Sequence, residues 1–308
     1  MVFGINVNQM DIINNCPVCN STGQTGFGHS KDYLVSNKIF TLVQCSGCDF
    51  VFTNPRPFVE DLPSYYKSDD YISHTDSRKG IIEQIYGLVK RFMISRKALI
   101  ISRITKNIRY RILDYGCATG DLLLYLQNKG AVCLGYEPDE SARNRAKKKG
   151  VSVLSRDSEL LSDHYLNKFD VVTLWHVLEH IPDLQNKLGL LSGLLNENGA
   201  ILVAVPEYKS CDAKFYGFNW AAWDVPRHLN HFENKTLIML FKKSGFVFEK
   251  KYPLIFDSFY VAMLSERNMQ KGVAGLLRAL IIGFYSNCKA LWGPRPYSSQ
   301  IYVFRKQQ

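Results

Sequence analysis

The stretch Ile112-Leu-Asp-Tyr-Gly-Cys-Ala-Thr-Gly120 decides the fold. Arg111-Ile-Leu-Asp114 is a short apolar strand, and Gly116 and Gly120 allow a tight turn that a ligand can approach closely. Asp121-Leu-Leu-Leu-Tyr-Leu-Gln-Asn-Lys129 then predicts a helix, closed by Gly130. Working outward, Ala131 to Tyr136 reads as a strand, Pro138 to Lys149 as a helix ended by Gly150, and Val151 to Leu154 as a strand. Phe169 to Leu174 is another strand, a helix runs from about Asp183 to Leu195, and Asn198-Gly199 turns into the strand Ala200 to Val205. This rhythm predicts an α/β fold, a parallel sheet covered by helices on both faces. Ligands in such sheets sit at the carboxyl ends of the strands, near the reversal of strand order.

A glycine-rich turn of this kind also suits NAD, but three details point elsewhere. The spacing is Asp114-x-Gly-x-x-x-Gly120 rather than GxGxxG. Asp114 suits an ammonium, and Asp121 at the helix start would repel a diphosphate. Glu137 ends the second strand, placed to accept hydrogen bonds from two ribose hydroxyls.

Ile112 to Gly120, Gly135-Tyr-Glu-Pro138 and Phe169-Asp-Val-Val-Thr-Leu-Trp-His-Val-Leu-Glu-His-Ile-Pro-Asp183 together resemble the class I S-adenosylmethionine-dependent methyltransferases, over roughly residues 105 to 308. The resemblance implies a Rossmann-like, seven-stranded sheet. It also implies that Asp114, Gly116, Cys117, Ala118 and Gly120 contact the methionine portion of the cofactor, with Tyr136, Glu137 and Pro138 at the ribose. Trp175, His176 and Val177 would line the cofactor beyond the fourth strand, and Asp157 would reach toward the adenine. Many members have glycine where Ala118 stands. His176, Glu179 and His180 could share one face of a short helix, in a segment that in the resembling enzymes mainly shapes the cofactor pocket.

Cys16-Pro-Val-Cys19 and Cys45-Ser-Gly-Cys48 are paired knuckles with the spacing of a tetrahedral four-cysteine zinc site. The strand-like runs Lys38 to Gln44 and Phe50 to Thr53 complete a zinc ribbon. Four thiolates leave no open coordination position, so the zinc is expected to be structural. Cys117, Cys133, Cys211 and Cys288 are scattered and read as packing residues.

The expected organisation is a ribbon over residues 1–60 and a helical connector over 61–108. A methyltransferase domain would follow over 109–308, with a helical insertion at about 257–297. The connector segment Tyr65 to His74 resembles the stretch that covers the cofactor in related enzymes, where Tyr71 and His74 would contact it. After the fifth strand, Trp220-Ala-Ala-Trp-Asp-Val-Pro-Arg-His-Leu-Asn-His-Phe232 resembles the matching stretch of sugar C-methyltransferases, which also carry a four-cysteine zinc domain. By that match His228 is the general base, with Arg227 where those enzymes carry an acid. That departure favours O- over C-methylation.

The 308 residues carry a net charge of +10, concentrated in two stretches. From Gln84 to Leu113 stand Lys90, Arg91, Arg96, Lys97, Arg103, Lys106, Arg109 and Arg111 with no acid; from Arg267 to the C-terminus stand Arg267, Lys271, Arg278, Lys289, Arg295, Arg305 and Lys306, again with none. Such helices suit an anionic surface or pack on the domain or a dimer partner. The expected acceptor is a small molecule, nucleotide-sugar or lipid-linked glycan. The expected location is the cytoplasm, with peripheral contact at the inner face of the membrane. The start, MVFGINVNQMDIINN, lacks the features of a secretory signal. An RNA base methyltransferase is disfavoured because Leu174-Trp-His-Val177 stands where an Asn/Asp-Pro-Pro-Tyr/Phe motif would be needed. A non-enzymatic binding module on the same fold is the remaining alternative.

Overall fold

Ile112 and Leu113 lie in a strand with neighbours on both sides, which is why the run is apolar without alternation. The computed structural model describes residues 10–66, 81–106 and 109–307, with the backbone alone for 81–86. Tyr71 and His74 lie outside the described residues. In chain order the N-terminal part holds β1 (Met10–Asp11), β2 (Gln24–Lys31), β3 (Ile39–Cys45), β4 (Val51–Thr53), β5 (Arg56–Pro57) and helix α1 (Ile81–Thr105). Then come β6 (Arg111–Tyr115), α2 (Asp121–Gln127), β7 (Val132–Tyr136), α3 (Glu140–Lys148), β8 (Val153–Leu154), α4 (Asp157–Leu160) and β9 (Phe169–Trp175). The C-terminal part holds α5 (Leu184–Leu194), β10 (Leu195–Pro206), α6 (Cys211–Tyr216), β11 (Asn230–His231), α7 (Asn234–Lys243), β12 (Phe246–Pro253), α8 (Asp257–Asn268), α9 (Gly272–Trp292) and β13 (Ser299–Lys306).

Among the described residues the large sheet has seven strands in the order β12-β13-β10-β9-β6-β7-β8. Strands β6 to β10 pair in parallel, and β13 inserts antiparallel between β10 and β12. The sheet is thus mixed rather than purely parallel. The chain leaves β6 toward β7 and β8, then returns to β9 on the other side of β6. This reversal places the turns after β6 and β9 side by side at the carboxyl edge. Leu113, Val172 and Val203 face one core, shared with α5 and α7, while Ile112, Val171 and Leu202 face a second core that takes Ile101 and Ile104 of α1.

The small sheet has the order β11-β4-β3-β2, so its edge strand comes from residues 230–231, far along the chain. Asn230 pairs with Phe52 and His231 with Val51. This pairing sets the loop that carries His228 against the cysteine-bearing sheet.

Candidate active site

The turn after β6 is held open by backbone conformations that favour glycine. Gly116 has φ +80° and Gly120 φ +72°, and a Cβ on Gly116 would stand 2.5 Å from Cγ2 of Val177. Ala118, at φ +46°, takes a left-handed conformation without that freedom. The backbone N–H groups of Gly116 and Cys117 both donate to the Tyr136 carbonyl, at 2.8 and 3.0 Å. Glu137 then closes the turn: its carboxylate accepts from the N–H of Ala118 at 2.8 Å and of Asp139 at 2.9 Å. Burial pushes the Glu137 pKa up, and those two N–H groups oppose the rise. Asp114, Gly116, Cys117, Ala118, Gly120, Tyr136, Glu137 and Pro138 therefore gather at one edge.

Asp114 is buried and accepts a 2.6 Å hydrogen bond from the Thr173 hydroxyl on β9. Burial pushes its pKa up to about 6, against that hydroxyl and the charge of Lys97. Lys97 comes from α1 and stands 4.3 Å from the centre of the Trp175 ring. Burial pulls the Lys97 pKa down, while Asp114 and Asp257 oppose this. The buried Trp175 indole N–H lies beside the Asp114 carboxyl and helps to oppose the rise of its pKa. Asp157, by contrast, is engaged elsewhere: it accepts from the Tyr115 hydroxyl at 2.7 Å and pairs with Lys187.

His176 follows β9 with φ +56°. Its Nε2 is 3.0 Å from Oδ2 of Asp257, the first residue of α8, and its Nδ1 is 3.4 Å from Oε1 of Glu179. Burial opposes its charge, but the two carboxylates outweigh burial and raise the pKa to about 10. The two carboxylates thus favour the charged form of His176, and its contact with Asp257 ties the cofactor-side loop to the C-terminal helices.

His228 is buried, and its Nδ1 donates to the Ala222 carbonyl at 2.8 Å. That bond makes Nδ1 a donor, and Nε2, the atom that carries the lone pair in a neutral ring, lies 3.8 Å from Oδ2 of Asp224. The His180 ring stands edge-on to it, with centroids 4.6 Å apart. Burial and the neighbouring His228 hold the His180 pKa down to about 4, so this imidazole is neutral. His180 Nδ1 lies 3.0 Å from the Arg227 carbonyl and 2.9 Å from the Tyr66 hydroxyl. Glu179 is 1% exposed, and its donor atom and those of His180 and His228 lie within 4.8 Å of one another. Arg227 is turned the other way: it donates to Asp224, Asp32 and the Tyr65 carbonyl.

The four N-terminal cysteines converge. Their sulfurs lie within 4.8 Å of one another, with Cys16 3.6 Å from Cys48 and Cys19 3.4 Å from Cys45. The two knuckles repeat the same backbone. Cys16 N–H donates to Ser21 O and Cys45 N–H to Phe50 O, both at 2.8 Å, while Asn20 and Asp49 each take φ +68°. Val18 N–H and Gly47 N–H point at Cys16 and Cys45 sulfur, at 3.4 and 3.3 Å. Burial pushes the Cys16 thiol up to about 11, a cost that a divalent cation would offset. This donor set fits a closed tetrahedral metal.

Lys97, Asp257 and Asp32 join the site without a motif that assigns them to it, whereas Asp224 belongs to the Trp220–Phe232 stretch. Lys97 carried a signal, since it interrupts the apolar steps Ile94, Ala98 and Ile101 of α1. Asp224 stands three residues before Arg227, whereas Asp32 is joined to it only by the fold.

The strand order, with its antiparallel inserted strand, is that of the S-adenosylmethionine-dependent methyltransferases. The chain belongs to the methyltransferase domain family, which matches residues 86–251. It is similar to the ubiquinone biosynthesis O-methyltransferase of Salmonella paratyphi A (strain ATCC 9150 / SARB42), with 31% identity over 98 residues, 30% of this chain and 40% of that one. The corresponding protein of Histophilus somni (strain 2336) is 33% identical over 101 residues, 30% of this chain and 42% of that one. The chain therefore spans about two fifths of the length of these curated relatives. Among solved structures it is similar to magnesium protoporphyrin IX methyltransferase from Synechocystis PCC 6803, at 13% identity and TM-score 0.48, covering 81% of this chain and 99% of that chain. A SAM dependent methyltransferase from Archaeoglobus fulgidus gives 19% identity and TM-score 0.48, covering 70% and 94%.

Proposed function

We propose that the protein transfers the methyl group of S-adenosylmethionine to a hydroxyl oxygen of a small-molecule, nucleotide-sugar or lipid-linked glycan acceptor on the cytoplasmic side of the membrane. Asp114 would hold the ammonium of the methionine portion, and Glu137 the ribose hydroxyls. Trp175 to Val177 would wall the pocket. Tyr71 and His74 belong to the proposed cover. The bound sulfonium supplies the electrophilic methyl group. His228 Nε2 takes the proton of the acceptor hydroxyl as the carbon–oxygen bond forms and the carbon–sulfur bond breaks, leaving S-adenosylhomocysteine.

The observation that carries this reading is the bond from His228 Nδ1 to the Ala222 carbonyl, which makes Nδ1 the donor and leaves Nε2 as the ring atom able to take a proton when the ring is neutral. The relatives named as O-methyltransferases support oxygen as the acceptor atom. Cys16, Cys19, Cys45 and Cys48 would hold a structural zinc at a distance from this chemistry. The test is S-adenosylhomocysteine release with each acceptor class, by the native protein and by His228→Ala. Turnover equal in the two overturns the role of His228.

A further inference from the structure

Helix α9 is built inside out. Its buried residues are small, namely Gly275, Ala279, Gly283 and Ser286. A Cβ on Gly283 would stand 2.7 Å from Cδ1 and 3.0 Å from Cα of Phe259, so glycine there lets α9 lie close on α8. The large apolar side chains face outward instead: Val273 is 81% exposed, Leu277 62%, Ile281 66%, Phe284 66% and Trp292 79%. They recur mainly at three- and four-residue steps, so they form one stripe along the helix. A surface helix of a globular protein ordinarily turns such a stripe toward the core. Left outward, it marks an interaction surface.

Charge identifies the partner. Lys271, Arg278 and Lys289 fall beside the stripe, and no acid occurs from Arg267 to the end of the chain. Lys289 Nζ lies 5.5 Å from the centre of the Tyr285 ring, at the edge of the stripe. Arg278 is held by Glu266 of α8 at 2.6 Å, leaving Lys271 and Lys289 as the flanking cations. In a two-fold dimer through this face, the segment would meet itself, bases against bases. An anionic lipid surface meets both features at once, taking the stripe among its acyl chains and the lysines among its phosphates. The helix has 21 residues, about 30 Å at ~1.5 Å per residue, yet no described helix is apolar enough to cross a membrane. It would therefore lie in the interface plane.

We infer that the outer face of α9 seats the protein on an anionic bilayer. The same hairpin is fastened to the methyltransferase site, because Asp257 at the start of α8 holds His176 at 3.0 Å. Seating α9 thus brings the cofactor-side loop to the lipid surface, from which a lipid-linked acceptor can enter. For the source of the acceptor, the inference rests on the proposed function; the docking itself does not.

The test is co-sedimentation of the full chain with vesicles of phosphatidylcholine alone and of phosphatidylcholine mixed equally with phosphatidylglycerol. Expected is binding to the mixed vesicles that weakens with salt and falls at least about tenfold in Ile281→Glu and in Phe284→Glu. S-adenosylmethionine affinity should be unchanged in both variants, showing that they fold. Equal binding by variant and native protein, or none by the native protein to mixed vesicles, overturns the inference. So does a native dimer in solution that Ile281→Glu makes monomeric. Turnover on a soluble acceptor that depends on His228 would leave the proposed function standing even then.

Discussion

Arg227 and Asp32 stand 195 residues apart in the sequence and 3.0 Å apart in space, their side chains 1% and 0% exposed. Asp32 follows β2 and also accepts from the N–H groups of Leu34, Val35 and Ser36. Arg227 adds Asp224 and the Tyr65 carbonyl. One guanidinium therefore joins the cysteine-bearing sheet, the connector and the loop that presents His228.

Removing one partner of a buried pair leaves the other charge uncompensated. Arg227→Met is expected to destabilise the protein by about 3–5 kcal/mol, read by urea unfolding. Arg227→Lys should not rescue it, because an ammonium cannot repeat the fork onto Asp224 and Asp32. Burial pushes the Asp32 carboxyl up, but the Ser36 N–H and hydroxyl and the Arg227 charge outweigh it and hold the pKa below its usual value. Its stabilisation is therefore complete above the unfolded carboxyl's ~4 and is lost as pH falls below that through the folded value. A Arg227→Met protein should show a weaker loss of stability over that acidic window.

Cofactor affinity should carry the signature of Asp114. Its carboxyl is pushed up to about 6 by burial, and a cationic ligand requires the ionised form. Affinity for S-adenosylmethionine should fall as pH drops through about 6. Asp114→Asn should bind about tenfold or more weakly at neutral pH and lose that pH dependence. Calorimetric titration on both sides of pH 6 checks it.

Metal loss should reach well beyond the cysteines. The native protein is expected to carry one zinc per chain in the four-cysteine cluster, and Cys45→Ser to lose it. Because β4 pairs with β11, and His228 precedes β11 directly through Leu229, turnover should fall in that variant without any change to the proposed cofactor residues. Metal analysis beside S-adenosylhomocysteine release measures both. Full turnover in a zinc-free protein would contradict the coupling.

What the sequence made legible was local chemistry. The run from Ile112 to Gly120 carries strand and glycine turn up to the helix start within nine residues, and Glu137 follows directly after the next strand. The cysteine pairs announce each other by spacing. Phe246 to Pro253 also alternates, with every second residue from Phe246 more buried, yet β12 was not read from it. β11 has only two residues and forms because β4 offers an edge, so no periodicity could show it. The Arg227–Asp32 pair and the His176–Asp257 pair are products of chain reversal, which no window of sequence contains. Which face of α9 turns outward depends on Gly283 packing against Phe259 and Gly275 against Lys271 and Glu266, contacts that lie outside any local pattern.

His228 itself should separate binding from chemistry. His228→Ala is expected to lower kcat about 100- to 10,000-fold while leaving S-adenosylmethionine affinity unchanged, since its ring bonds to Ala222 and lies beside Asp224 and His180 rather than bonding to the Asp114–Gly120 turn. His228→Gln should not restore the rate, because an amide cannot take the proton. Single-turnover rates beside calorimetric binding check both halves.

The most direct measurement is release of S-adenosylhomocysteine from S-adenosylmethionine by the full chain, against nucleotide-sugars, lipid-linked glycan extracts and total RNA, with His228→Ala in parallel. The account predicts release with a sugar or lipid fraction, a methyl ether in the product and loss of both in the variant. Release with RNA alone, or a product methylated on carbon, would contradict it.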